Sequence, residues 1–322
     1  MSFFLFRRCL SLLLTLVAAS LVVFGALEWL PGDAAQVAMG PDASPEVIAA
    51  KRTELGLERP ATERYLAWVG GLLRGDMGQS HAYGSPVAEL IAERLAVTLP
   101  LALLALAIST AVALSVGVYA AAHHNRLGDV GVMTVTQLGI AVPNFWFAIL
   151  LILVFSVKLQ WFSAGGFDGW SFDDGLAAGL WTGLRALLLP ALALAAVQAA
   201  ILARFTRSAV LDVMREDFVR TARAKGNSRA QTLRRHVLRN ALVPVVTILG
   251  MQFSELVVNA IVVENVFYLP GIGRLVFQAI ANRDLIVVQN VVMLLAALVI
   301  VVNFAVDVAH ACIDPRVRAG AL

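Results

Sequence analysis

The sequence predicts an all-α integral membrane protein with six transmembrane helices. Composition is the first ground: 59% of the 322 residues are hydrophobic and only 15% charged. A mean hydropathy of +0.80 lies beyond that of a soluble globular domain. Spacing is the second ground. The apolar residues gather into six blocks, approximately 9–30, 98–122, 130–157, 184–203, 242–263 and 286–309, each near the ~20 residues that cross a bilayer core. The third ground is the pattern inside each block, which lacks the two-residue alternation of a barrel strand. A span that is not part of a barrel must satisfy its backbone as helix.

In chain order, a short tail (1–8) places Arg7 and Arg8 ahead of the first block. That block (9–30) reads as an uncleaved anchor. Its apolar run exceeds the roughly 7–15 residues of a signal-peptide core, and no A-x-A site precedes Pro31. The segment 31–97 is long enough to carry its own short helices. Ser44-Pro45-Glu46 has an N-cap, a proline for the first helical position and an acid for the dipole, and Gly56 stops that helix. A second amphipathic stretch, 60–73, puts Tyr65, Trp68, Val69 and Leu72 on one face and ends at Gly75-Asp76. Ser85-Pro86 starts a third, leading into the second span. This segment reads either as surface helices beside the membrane or as a docking platform for an external partner.

The remaining residues, 98–310, form a five-span core that includes a cytoplasmic loop at 204–240, and 311–322 is a tail. Pro143 predicts a kink near residues 139–143 of the third span. Pro190 and Pro244 fall in the first turns of the fourth and fifth blocks, where proline is tolerated. Gln252, Glu255 and Asn259 share one face of the fifth span at i, i+3 and i+7. They line a solute pathway or serve interhelical packing. Asn303, Asp307 and His310 share a face of the sixth, as packing or support of the loop. Cys9 and Cys312 read as reduced, packing thiols, and His123-His124 as a polar loop pair without zinc-ligand spacing. There is no P-loop, no metal site and no catalytic motif.

Charge orients the chain. Arg7, Arg8, Arg126, the loop 204–240, Arg316 and Arg318 fall on one side, which the positive-inside rule makes cytoplasmic together with both termini. Ten of the 25 Lys and Arg lie in 204–240, offset only by Asp212, Glu216 and Asp217. Within that loop Val210, Leu211, Met214, Phe218, Val219 and Ala222 recur at helical spacing. This predicts a helix over 208–225, a stop at Gly226, a cap at Asn227-Ser228 and a second helix to about Leu238. Topogenic charge, lipid headgroups or a solvated face account for the basic residues. They do not require an apolar stripe, a glycine stop and a fresh cap, whereas docking of a helix into a partner's groove does. Nucleic-acid binding is set aside in a chain with six spans.

The run from Phe218 to Gly226, continuing from Leu238 to Pro244, resembles the EAA loop of ABC-importer permeases, in the form found in the dipeptide/oligopeptide/nickel family. The general pattern has Glu-Ala-Ala, three residues and Gly; here those positions read Arg220-Thr221-Ala222 and Gly226. The missing glutamate and the more distant Pro244 resemble the habits of the peptide subgroup. Further stretches are similar to the family: Pro31-Gly32-Asp33, 55–60, 75–80, Pro86-Val87, Ile91 with 94–99, 269–273, Arg283-Asp284 and Asp314-Pro315-Arg316.

The resemblance implies an importer permease bundle in a bacterial inner membrane. A second, homologous permease would complete the path, two cytoplasmic ATPases would carry ATP and Mg, and an extracytoplasmic binding protein would deliver the solute. This chain itself would bind no cofactor. Its coupling helix would present Glu216, Asp217, Phe218, Arg220, Thr221, Ala222, Arg223, Lys225 and Gly226 to an ATPase. Dipeptide, oligopeptide, glutathione, peptide antibiotic and nickel all remain open as solutes. Two readings of other classes stand beside this one: an ion-coupled transporter using Glu255 or Asp307 as proton carriers, and a membrane scaffold with a basic lipid-binding loop.

Overall fold

The computed structural model describes residues 2–29, 34–40, 43–54, 56–167, 169–170 and 176–313. Pro31, Gly32, Asp33, Leu55, Asp314, Pro315, Arg316 and Arg318 lie outside the described residues, as do the side chains of His310 and Cys312. The described residues are all-helical apart from turns and one bridge between Gln79 and Pro86. They form α1 (Ser2–Glu28), α2 (Ala34–Met39), α3 (Pro45–Glu54), α4 (Ala61–Arg74), α5 (Val87–Ala122), α6 (Leu127–Ala141) and α7 (Asn144–Leu151, continued by a π-helical stretch Ile152–Lys158). There follow α8 (Leu176–Met214), α9 (Asp217–Ala224), α10 (Arg229–Thr232), a π-helical turn Leu233–Val237, α11 (Leu238–Val266), α12 (Ile272–Ala281) and α13 (Leu285–Ile313).

Five helices among the described residues are long and apolar enough to cross a membrane, and six crossings result if the bent pair α6–α7 makes one. That pair corrects the expected kink, because the two pieces meet at 100°. The physical reason is local. Proline disfavours the helical region for the residue before it, and here both Val142 (φ −89, ψ 123) and Pro143 (φ −63, ψ 138) are extended. Two consecutive extended residues break a helix instead of bending it.

Helices also run past their apolar blocks. α5 absorbs the expected third outer helix, and α8, 39 residues long, spans roughly 60 Å at 1.5 Å per residue, about twice a bilayer core. Pro190 and Pro244 are therefore interior to α8 and α11, not in first turns. Arg185, at the start of the apolar block, lies inside the helix. Its guanidinium donates to the Trp161 carbonyl (2.9 Å) and lies over the Phe162 ring.

The chain forms two compact units, one of Leu99–Leu269 with the stretch from Val302, the other of Ser2–Thr98 with Pro270–Val301. In the first, α6, α7 and α11 pack against α8. Small residues allow close approach. Gly117 lies where a Cβ would stand 2.6 Å from the Ala203 carbonyl, and Gly250 backs onto Val306. In the second unit, Val87, Leu90 and Ile91 of α5 pack with Ile272, Leu275 and Ala279 of α12 and with Val287 and Val291 of α13.

The outer segment of the second unit follows its expected punctuation. Ser44 Oγ accepts from Val47 N (3.4 Å), Gly56 has φ +64 and Gly75 caps α4 at φ +78. The predicted face of α4 is also used. Tyr65 Oη is 2.8 Å from Ser20 Oγ, Trp68 stacks on Phe24, and Trp68 Nε1 donates to Asn290 Oδ1 (3.2 Å). Two stretches that carried the resemblance meet here, since Ser80 Oγ donates to Asp284 Oδ2 at 2.6 Å.

Candidate functional site

The basic loop is built as an extension of α8, a short helix α9, a glycine turn and the start of the α10–α11 rod. The expected single helix over 208–225 is corrected: the chain turns at Arg215-Glu216, where Arg215 N and Glu216 N donate to Asp212 and Val213 carbonyls at 3.1 Å. Glu216 is extended (φ −66, ψ 147) and opens α9, with Asp217 in its first turn facing the positive helix end. Two consecutive acids are a helix-start signal that the longer apolar periodicity concealed.

α9 has one inward edge. Val219 and Ala222 are buried, and Val219 packs with Ala121 of α5, Val210 of α8, Val237 of the π-helical turn and Ala241 of α11. Glu216, Asp217, Phe218, Arg220, Thr221, Arg223, Lys225 and Gly226 are exposed. Phe218, at 42% exposure, is an apolar projection amid charges. Arg220 Nη1 reaches Asp217 Oδ1 at 3.3 Å, but both side chains are mostly in solvent, so the pair adds little stability. Thr221 Oγ1 donates to the Asp217 carbonyl (3.0 Å).

The turn after α9 is closely specified. Gly226 has φ +86, a conformation that costs an L-residue roughly 1–2 kcal/mol. Its N–H donates to the Arg223 carbonyl (3.0 Å). Ser228 then forms a capping box, accepting from Gln231 N (3.3 Å) while Ser228 N donates to Gln231 Oε1 (3.0 Å). The second expected helix does not stop at Leu238 but continues to Val266.

Three other cations of the loop make contacts within the chain. Arg207 donates from Nε and Nη2 to both Asp129 oxygens (2.6 and 2.7 Å), and its Nη2 lies 3.0 Å from His124 Nδ1. Arg204 donates to Gln137 Oε1 (3.3 Å) and Arg229 to the Ala122 carbonyl (2.7 Å). His124 thus belongs to an ion-pair cluster that sequence spacing did not reveal, because it joins the turn before α6 and Asp129 of α6 to Arg207 of α8.

The second set of candidate residues separates. Gln252 is buried and its Nε2 donates to the Gln198 carbonyl of α8 (3.0 Å). Glu255 is exposed and accepts from Gln198 Nε2 (3.1 Å), while Asn259 is half-buried. Gln198, in the middle of α8, was missed because one polar residue in an apolar block carries no periodic signal. Asn303 is exposed and Asp307 half-buried. Cys9 is exposed within this chain, correcting the packed thiol.

Comparison with known proteins agrees with the bundle. Residues 113–319 match the family described as binding-protein-dependent transport system inner membrane component, and 1–102 match its N-terminal counterpart. The chain is 42% identical over 318 residues to a putative peptide transport system permease protein of Brucella abortus (strain 2308), covering 99% of each. It is 39% identical over 330 residues to the di/tripeptide transport system permease protein DppB of Pseudomonas aeruginosa (strain UCBPP-PA14), covering 98% of each. To the glutathione transport system permease protein GsiC of Escherichia coli (strain K12) it is 39% identical over 315 residues, again 98% of each. Matched along nearly its whole length, the chain belongs to the family of inner membrane components of binding-protein-dependent transport systems and is an ABC-importer permease, not a catalytic enzyme.

Proposed function

We propose that this permease imports short peptides across a bacterial inner membrane, with both termini cytoplasmic, and that α9 is its coupling helix. The observation that carries the coupling role is α9 itself, a two-turn helix seated by Val219 on α5, α8 and α11, with Ala222 also buried and Phe218, Arg220, Thr221, Arg223 and Lys225 left outward. Such an element suits a groove in another protein. The partners are a second, homologous permease, two cytoplasmic ATPases holding ATP and Mg, an extracytoplasmic solute-binding protein and the bilayer.

ATP-driven closure of the ATPases moves the coupling helices of the two permeases together and opens the path outward; hydrolysis resets it. Each partner must favour one of two states for this to work. Glu255 is assigned to the path, with Asn259 beside it, and Gln252 to the α8–α11 contact that positions them. The peptide solute is supported by the names of the relatives. The ion-coupled and scaffold readings have no observation in their favour.

The test is Gly226→Val. Open space surrounds the Cβ position, so the substitution acts through backbone conformation. The variant should insert normally but lose ATPase co-purification and transport. Full transport at normal expression would sink the coupling role.

A further inference from the structure

A shallow cleft lies beside α9, between its last turn, the end of α8 and the start of the α10–α11 rod. Met214, Leu233 and Val237 supply its apolar part, and Arg223 and Arg229 line it as well. Both arginines are exposed. Among the described residues no acid lines it. Of the three acids in 204–240, Asp217 faces Arg220 in the first turn of α9, and Asp212 and Glu216 are not part of the lining.

The two guanidiniums are held differently. Arg229 donates from Nη2 to the carbonyl of Ala122, another lining residue, at 2.7 Å, so its head is fixed at the cleft with other N–H groups left over. The Arg223 side chain has no hydrogen bond or ion pair among the described residues. Its own helix and turn supply none, since the residues three and four positions to either side are Val219, Arg220, Gly226 and Asn227. A basic residue in the last turn suits the helix dipole. That accounts for one arginine, not for a second cation brought to the same cleft from another element. Two like charges bordering one apolar surface repel, and a negative group set between them replaces the repulsion with two attractions.

Resting on the coupling role of α9, we propose that this cleft receives one acidic side chain of the ATPase. Its methylene stem lies against Met214 and Leu233, and its carboxylate sits between Arg223 and Arg229. The polarity of the contact is thereby set: the permease brings the cations and the ATPase the acid. A free inorganic anion has no stem to cover the apolar part. A protein that grips Phe218 and Arg220 lies against the same helix as Arg223 and covers the cleft as it docks. Covered in this way, the pair is withdrawn from the solvent that weakens exposed ion pairs, and it fixes the register of α9 in the groove.

The test uses the full importer with its co-purified ATPases and a carbodiimide, which joins a carboxylate to an amine without a spacer and leaves arginine unreacted. A Lys225→Arg background leaves Lys51 and Lys158 as the chain's lysines, both outside the loop. Arg223→Lys and Arg229→Lys, made separately, should each give a permease–ATPase product, with both links mapping to the same acidic residue of the ATPase. Arg223→Glu should lower ATPase co-purification at low salt by about tenfold or more, and exchanging the mapped acid for arginine should restore it. In parallel, Phe218→Cys carrying a benzophenone label, in a Cys9→Ser, Cys312→Ser background, reports whether α9 docks at all. Capture of the ATPase from position 218 with no product from Arg223→Lys overturns the cleft contact and leaves the coupling helix standing. Links from position 223 only to Asp212, Glu216 or Asp217 of this chain do the same. No capture at 218 together with no link at 223 removes the coupling role and the cleft contact alike.

Discussion

Asp129 is 2% exposed, and Arg207 meets both of its oxygens. At such a site the two partners are not equivalent to remove. Truncating Arg207 strands a buried carboxylate, which typically costs about 3–5 kcal/mol, whereas replacing both partners by neutral groups is far milder. Arg207→Ala should therefore lower the detergent unfolding midpoint by several degrees, and Asp129→Asn with Arg207→Gln should recover much of the loss. Equal midpoints for the single and double variants would mean that the pair does not hold α6 to α8. The pair also marks the limit of sequence reading at this scale. Gly56, Gly75, Gly226, Ser44 and Ser228 were legible because caps and positive-φ turns act over a few residues. Asp129 with Arg207, and Ser80 with Asp284, join residues far apart in the chain, and no local pattern announces them.

The apolar spans were legible in place and in apolar content, but not the extent of the helices or the short ones between them, α2 and α12. Hydropathy reports where lipid can lie, not where hydrogen bonding stops, so α8 runs on at both ends of its apolar block. The break at Val142-Pro143 was foreseen in place but not in size, because one extended residue or two make the difference between a kink and a corner. Close packing between helices was likewise invisible. Gly250 lies against Val306 of α13 with no room for a methyl group, and overpacking at such a contact typically costs about 1–3 kcal/mol. Gly250→Ala should lower the unfolding midpoint and Val306→Ala, combined with it, should restore stability. Additive losses in the double variant would remove this contact from the account.

For the molecule as a whole, the informative surface is the outward face of α11. Val258 and Val262 are exposed, and lipid could cover them, but Glu255 and Asn259 share that face at helical spacing and a carboxylate is expensive in hydrocarbon. In the proposed function this is the face set against a water-containing path and a second permease. In a Cys9→Ser, Cys312→Ser background, Val258→Cys or Val262→Cys should cross-link in membranes to a homologous permease identified by mass spectrometry. Leu21→Cys on α1 should not. Absence of that product at either α11 position would remove α11 from the permease interface.

The unbroken course from Ser228 to Val266 has one more consequence. α9 rests on Val237 and Ala241 near one end of this rod, while Glu255 lies far along it. At 1.5 Å per residue the separation from Arg229 to Glu255 is about 39 Å, so a tilt of about 5° about the near end displaces Glu255 by about 3 Å. The geometry is that of a lever arm: in the proposed coupling, a small angular correction imposed on α9 would reach Glu255 as a shift comparable to the length of a hydrogen bond.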